Sequence, residues 1–361
     1  MRVSPNAAEG AGPLRVAVLP PLDAVLPVAV TGVQKNNPAG VRPRSPCRRP
    51  APPPTQSTTP MTLAVRPSVA RDPRGGARHR VGDQVAHLAT VYAAKMNESR
   101  FARDLRAQQV DRRRYVTYLC TLYPIVVGFN RALIRGIAKV DHVRNASFVK
   151  VLAEQLQEEQ AHNQLWRVKL ELFGVDHEAL YGDLVDYVAR YTSADLDRLT
   201  RDVLADVNAG SGEGVGSRFG DALFPDSVLA LYHHLWMTAT REDIGHWEHF
   251  ASQSGIEMVI WDVVTASILP GVIGNPTLDL GEGSTHWWRE HGRVPGVVAE
   301  GKTDEEKHLE LSRIALNRSE TANAVAPQVI ARAEDTMRLF AATMLCQESA
   351  VGHFPLDRYQ R

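Results

Sequence analysis

Cysteine is scarce in this chain, and its scarcity limits the classes of protein to consider. Only three cysteines occur in 361 residues: Cys47, Cys120 and Cys346. None falls in a CxxC or CxxxxC spacing, and an odd count argues against a disulfide framework. Free thiols fit a reducing compartment, so we expect the protein in the cytoplasm.

Long apolar runs and basic binding motifs are lacking as well. No apolar run reaches the roughly 18–20 residues that cross a bilayer. The apolar stretch Val16–Val33 is interrupted by prolines and charged at Asp23, so it lacks the compact apolar region that follows the basic start of a signal peptide. Residues 1–82 contain 12 Lys and Arg against 3 Asp and Glu, so the remainder, with 29 against 38, is acidic. We therefore predict no membrane partner and no nucleic-acid partner.

The composition changes near residue 82. Residues 1–82 are rich in Pro, Arg, Gly, Ser and Thr, and such a segment buries too little apolar surface to offset its chain entropy. This predicts a disordered tail, within which Met61 is an alternative translation start. Residues 83–361 show helical periodicity and little β-branched alternation, which predicts a single all-α domain with a long irregular connection at 269–302. The predicted helices are 84–107, 111–138, 142–173, 176–190, 193–208, 226–252, 255–268, 303–317 and 319–351.

Three carboxylate–histidine pairs lie on the apolar stripes of predicted helices. They are Glu159 with His162, Glu242 with His246, and Glu305 with His308. Residues three or four apart share a helix face, so each pair directs two ligand groups towards one place. Carboxylate and imidazole are the usual ligands of non-haem iron or manganese inside a helical bundle. The pattern favours an oxygen-using metalloenzyme.

Each pair also has a structural interpretation. A carboxylate and an imidazole inside an apolar stripe are costly unless they are paired or metal-bound, but a small rotation of the helix puts them at its wet edge. Asp304 and Glu306 in a first helical turn complement the helix dipole, with Asp304 an alternative to Glu305 as the ligand. The pairs are then helix-surface salt bridges in a helical binding protein that uses its Pro- and Arg-rich tail as an interaction arm.

Two di-metal architectures compete. A ferritin-like site needs two ExxH pairs and one Glu on each of two further helices. The predicted helix before residue 142 contains no Glu, which argues against that site.

The second architecture is reached through a resemblance. The stretches Glu158–Val175 and Asp304–Leu316 resemble metal-bearing helices of the haem-oxygenase-like superfamily, and Ala333–Phe340 is similar to its closing helix. The resemblance covers about residues 115–350. It implies a haem-oxygenase-like bundle of the branch that contains non-haem di-iron oxidases and oxygenases, whose sites use three histidines and three carboxylates.

Carried onto this sequence, the family pattern implies metal ligation by Glu159, His162, Glu242, Glu305 and His308. The family has a histidine four residues before its third carboxylate, where this chain has Gly301. The third histidine must therefore come from elsewhere, and the candidates are His246, His291 and the weaker His286. Side chains that orient the imidazoles are expected among Gln155, Glu158 and Asn163.

The resemblance implies a di-iron oxidase or oxygenase with two ferrous ions, or manganese in their place, and O₂ as co-substrate. Its substrate is a small organic molecule, oxidised by C–H cleavage, N-oxygenation or C–C scission. Cofactor-independent and haem-dependent enzymes share the fold, so the fold alone does not choose between these functions. A homodimer is compatible with the sequence.

Overall fold

The computed structural model describes residues 80–208, 223–294, 296 and 302–361, all of which belong to one compact unit. The tail predicted at 1–82 lies almost entirely outside the described residues. The domain boundary near residue 83 stays a prediction, although the first helix begins at Val81.

The all-α class is confirmed, since the described residues contain helices and one isolated bridge between Val175 and Gln360, but no β-strand. The α-helices are α1 (Val81–Asn97), α2 (Arg100–Arg106), α3 (Arg112–Ile137), α4 (Ala146–Leu172), α5 (His177–Ala189), α6 (Ser193–Asn208), α7 (Asp226–Thr240), α8 (His246–Val263), α9 (Leu269–Val272), α10 (Glu282–Glu290), α11 (Asp304–Arg318), α12 (Glu320–Ala324), α13 (Ala326–Leu345) and α14 (Gln347–His353).

The helix α8 forms the centre of the bundle. It packs against α1, α3 and α13, and α3 packs in turn against α4 and α7. Most side chains of α8 are buried, so its sequence lacks the polar face of a surface helix. The helix continues through a π-helical segment, Val264–Ile268, into α9. Such π segments are rare and often lie at functional sites.

The predicted helix 226–252 is wrong in its extent. The chain leaves the helix at Arg241, whose backbone is extended, and α8 begins five residues later at His246. Lys139, two residues after the end of α3, stabilises this break, because its amine donates hydrogen bonds to the carbonyl oxygens of Thr238, Arg241 and Ile244 at 2.7, 2.7 and 3.0 Å. The break predicted near residue 253 does not exist, since α8 runs through it.

The irregular connection predicted at 269–302 is also partly wrong. It contains α10, whose Trp287 and Trp288 are buried against Trp166 of α4. Gly281 precedes α10 with a φ of 98°, a conformation that favours glycine. The tryptophan pair therefore serves as packing, and it fixes the chain on either side of α10 against α4.

In the part of the chain that the structure describes, two helical segments are long and apolar enough to cross a membrane by length and composition: Arg112–Ile137 and His246–Val272. Inside the fold, 78% and 67% of their most apolar windows are buried. Core helices of a bundle pass the same test, so the two segments are weak evidence for a membrane span. The absence of a membrane partner stays a prediction.

Candidate metal centre

The helix α4 supplies the first two groups of the candidate site. Glu159 and His162 lie one turn apart on its inner face, with 11% and 12% of their side chains exposed. The His162 Nδ1 lies 3.1 Å from Glu159 Oε1. Burial alone would lower the pKa of His162, but the hydrogen bond and the charges of Glu159 and Glu305 raise it above its usual value. The pair predicted on this helix therefore faces the interior.

His291, one of the alternatives for the third histidine, joins this pair. It directly follows the last residue of α10, is 3% exposed and stacks on the ring of Trp287. Its ring centroid is 4.3 Å from that of His162. Ligand atoms of Glu159, His162 and His291 all lie within 4.8 Å of one another, which is close enough to share an ion. The structure thus brings together residues from α4 and the end of α10.

The tautomer of His291 follows from its hydrogen bond. Its Nδ1 lies 2.8 Å from the carbonyl oxygen of Trp287, and a carbonyl oxygen only accepts. The Nδ1 therefore carries the proton, and Nε2 keeps a lone pair for a ligand. Burial and the charge of His162 hold the pKa of His291 well below its usual value, so the ring is neutral, as a metal ligand must be.

Glu257 of α8 is a buried carboxylate that the sequence patterns did not single out. It is 5% exposed, and its Oε1 accepts a hydrogen bond from Gln155 Nε2 of α4. Its Oε2 is buried without a partner among the described residues. Burial and the charge of Glu159 raise the pKa of Glu257 to about 8. The sequence does indicate this burial, because Glu257 is the single acid inside the otherwise apolar run Ile256–Trp261.

Glu305 of α11 is the third buried carboxylate, at 8% exposure. Burial and the charges of Glu257 and Glu159 hold its pKa well above the usual range, which means that the three carboxylates act on one another. Glu306 instead completes the capping box with Thr303 and pairs with Arg293, consistent with the helix-terminus interpretation. The side chain of Asp304 lies outside the described part.

His308 follows Glu305 by one turn on α11, and 21% of its side chain is exposed. Its Nδ1 lies 3.0 Å from Glu158 Oε2 on α4, so this pair connects the two helices. A carboxylate on one imidazole nitrogen fixes the ring and leaves Nε2 for a ligand. Gln155 and Glu158, two of the side chains expected to orient ligands, thus contact Glu257 and His308.

Glu242 and His246 lie elsewhere. The prediction that they share one helix is wrong, because Glu242 is exposed in the turn between α7 and α8 while His246 is the first residue of α8. Both line a surface hollow beside Lys139 and Trp236, and neither lines the cavity that contains Glu257. The weaker alternative His286 is exposed and pairs with Glu290 at 3.2 Å.

An apolar cavity adjoins the cluster. Glu159, Glu257 and His291 form part of its wall, and nearly all of the remaining wall is aliphatic or aromatic. The two further polar side chains are Tyr118 and Thr343, and the Thr343 hydroxyl donates to the carbonyl oxygen of Phe340. The cluster therefore faces a dry space between helices, which is the usual setting of a small-molecule site.

The groups of the cluster are better suited to holding a cation than to stabilising the protein without one. None of Glu159, Glu257 and Glu305 forms an ion pair with Lys or Arg among the described residues, and ionising a buried carboxylate without a positive partner is costly. The ligand atoms of Glu159, His162 and His291 lie together, and the carboxyl groups of Glu257 and Glu305 act electrostatically on this group, so the donor set of carboxylates and imidazoles suits iron or manganese.

No family model and no curated protein matches this chain. Among solved structures, it is similar to the crystal structure of a TenA homologue from Pseudomonas syringae pv. tomato str. DC3000. The identity is 14% and the TM-score 0.48, and the match covers 74% of this chain and 93% of that chain. At this distance the similarity assigns neither a family nor a function.

Proposed function

We propose that this chain is a non-haem di-iron oxidase or oxygenase of the haem-oxygenase-like type, with O₂ as co-substrate and a small organic substrate. The metal ligands would be Glu159, His162, Glu257, Glu305, His308 and His291. Manganese in place of iron is compatible with the same donor set. The observation that carries the proposal is a buried group of three carboxylates, Glu159, Glu257 and Glu305, which no Lys or Arg of the described residues neutralises and of which only Glu159 is paired by a hydrogen bond with an imidazole, that of His162.

This ligand set differs from the one expected from the sequence at one carboxylate and in the choice of the third histidine. We propose Glu257 in place of Glu242, and His291, one of the alternatives, in place of His246. The set keeps the three histidines and three carboxylates that the resemblance implies.

The protein's own groups would prepare the site in three ways. The three carboxyl groups lie together in a buried place, where their ionised forms would neutralise the charge of a bound metal ion. The hydrogen bonds of His291 to Trp287 and of His308 to Glu158 fix two imidazoles with Nε2 free. The apolar cavity excludes water and receives the substrate. Bound iron would supply the redox chemistry with O₂, which protein side chains alone do not provide.

Metal loading tests the proposal. Protein purified without oxygen and loaded with ferrous iron should hold about two irons per chain and give a transient visible band when O₂ is added. Glu159→Ala and His308→Ala should each lose most of this iron while keeping their helical content, because each removes a ligand outright. His246→Ala is the matched control, since it removes an imidazole outside the cluster.

The results of iron loading test the assigned ligands and the proposed function separately. Loss of iron in the two cluster variants but not in His246→Ala supports the assigned site. Stoichiometric iron in all variants would refute the assignment. No stoichiometric iron or manganese in the parent would refute the proposed function and favour a cofactor-independent enzyme or a binding protein.

A further inference from the structure

The apolar cavity extends well beyond the carboxylate–imidazole cluster. Along α8 and the π segment, its wall includes Glu257, Ile260, Val264 and Ile268. These residues recur every three or four positions, so they lie on one face. Ile268 lies eleven positions after Glu257, which is about 16 Å along a helix axis. The wall that α8 and the π segment supply therefore runs from the carboxyl group of Glu257 to an apolar end at Ile268, and His291 joins it from the end of α10.

The wall that α3 supplies is also apolar towards the end of the cavity at Ile268. The helix α3 runs antiparallel to α8, because Gly136 lies against His249 while Phe129 accepts a hydrogen bond from Gln253 at 3.3 Å. Residues of α3 before Phe129 therefore lie further along α8, beside the π segment. Those that line the cavity there, such as Leu122, are mostly apolar.

The charges of the wall limit what it binds. No Lys or Arg of the described residues lines the cavity, so a charged acid or phosphate would lack a partner there away from the cluster. Beyond the cluster there is no carboxylate either, so an ammonium group at that end would be equally unpaired. Burying an unpaired charge or hydroxyl is unfavourable, whereas burying methylene groups is favourable.

We infer that the substrate carries an uncharged hydrocarbon chain, which lies along α8 in this cavity with its reacting end at Glu159, Glu257 and His291 and its other end at Ile268. The inference rests on the proposed function for the chemistry at the reacting end. The binding of the chain itself depends only on the cavity wall.

Straight-chain 1-alkanols from hexanol to tetradecanol are suitable probes, because their hydroxyl is uncharged and their length varies one methylene at a time. Dissociation constants for metal-free, full-length protein are measured by calorimetry. Each added methylene should strengthen binding about fourfold until the chain reaches the end of the cavity, after which affinity stops rising. A terminal diol of the optimal length should bind about tenfold more weakly, because its second hydroxyl lies among apolar groups.

Two variants test the position of the chain. Ile268→Phe fills the far end and should move the affinity maximum to shorter alkanols. Leu122→Phe narrows the cavity from the side of α3 and should weaken binding of the longer alkanols. It tests the same inference if Ile268→Phe does not fold. Ile330→Phe is the matched control, because Ile330 is only partly buried and does not line the cavity.

The iron content of the same preparations distinguishes the two proposals. Length-dependent binding that Ile268→Phe shortens supports the inference, even if no iron binds and the proposed function fails. Affinity that is independent of chain length, a diol that binds as well as the alkanol, or an unchanged maximum in both cavity variants would overturn the inference, even if iron binds as expected.

Discussion

Replacing Glu257 with glutamine should stabilise the metal-free protein and weaken its metal binding. Glutamine has the shape of a protonated glutamate but never ionises. The parent carboxyl is buried, and burial together with the charge of Glu159 raises its pKa from 4.5 to about 8. The two effects of Glu257→Gln therefore have opposite signs, which a simple packing defect would not produce.

The size of the stability effect follows from the pKa. At pH 7 the unfolded carboxyl is ionised, whereas the folded one holds a proton. A raised pKa of an acid contributes stability that is fully present below the unfolded value and is lost as pH rises through the folded value. The folded pKa of about 8 lies above pH 7, so at pH 7 only the interval from 4.5 to 7 contributes. At about 1.4 kcal/mol per pH unit, the loss of stability at pH 7 is about 3 kcal/mol. The neutral amide avoids that loss.

The size of the metal effect follows from linkage. An ion at 100 times its dissociation constant stabilises the folded parent by about 2.7 kcal/mol. Loss of a direct ligand should weaken binding by at least about 100-fold, the upper end of the range for residues that only orient ligands. At the same ion concentration the variant would gain only about 0.4 kcal/mol.

Urea unfolding between pH 4.5 and 8, with and without ferrous iron under anaerobic conditions, measures both effects. The metal-free variant and parent should be equally stable near pH 4.5, and the variant should gain with rising pH. Glu242→Gln is the matched control, because this carboxylate is exposed in a turn and should change neither quantity. The reasoning is refuted if metal-free Glu257→Gln is less stable than the parent at pH 8 and is still stabilised fully by iron.

Three further predictions concern buried polar groups. Burial lowers the pKa of His234 from 6.5 to about 3, so the free energy of unfolding decreases as pH falls below 6.5. His234→Gln should remove about 2 kcal/mol of this decrease between pH 7.5 and pH 5, as measured by urea unfolding at each pH. An unchanged pH profile would contradict this. Gln155→Leu removes the hydrogen bond to Glu257 and should lower iron affinity about 10–100-fold in a chelator competition assay, whereas unchanged affinity would mean that Gln155 does not position the carboxylate. Lys169 is fully buried, its amine has no hydrogen-bond partner among the described residues, and burial lowers its pKa well below the usual value. Lys169→Met should therefore raise the free energy of unfolding by about 1–3 kcal/mol, and a decrease would show that the surrounding tryptophan rings hold a charged amine.

The sequence predicted the parts of the candidate site that depend on a single helix. Glu159 and His162 lie on α4, and Glu305 and His308 on α11, so in each case a spacing of three residues was enough to place both on one face. The same reasoning failed for Glu242 and His246, because it assumed a continuous helix.

That failure has a long-range cause. The break between α7 and α8 is stabilised by Lys139, about a hundred residues earlier in the chain, whose amine binds three carbonyl oxygens of the turn. Local periodicity contains no information about such a contact. His291 was similarly hard to place, because it follows a short helix in a segment rich in glycine and proline.

Glu257 was missed for a different reason. The carboxylate–histidine pattern does not include Glu257, because this residue has no histidine three or four positions away. An isolated acid in an apolar helix is itself informative, since burial of a lone carboxylate costs free energy that the apolar neighbours do not return. Gln155 satisfies only one of the two oxygens of Glu257, and the charge that raises its pKa most is that of another carboxylate, Glu159.

The energetics of the cluster connect its structure to the proposed function. Burial and neighbouring carboxylates raise the pKa values of Glu257 and Glu305, so these two groups destabilise the metal-free fold at neutral pH. A packed bundle gains stability when such groups are replaced by apolar side chains of similar size. A divalent cation reverses the sign of each interaction, because it favours the ionised form that burial disfavours. Residues that are unfavourable for the metal-free protein and favourable for a cation are therefore the ones from which we infer a metal site.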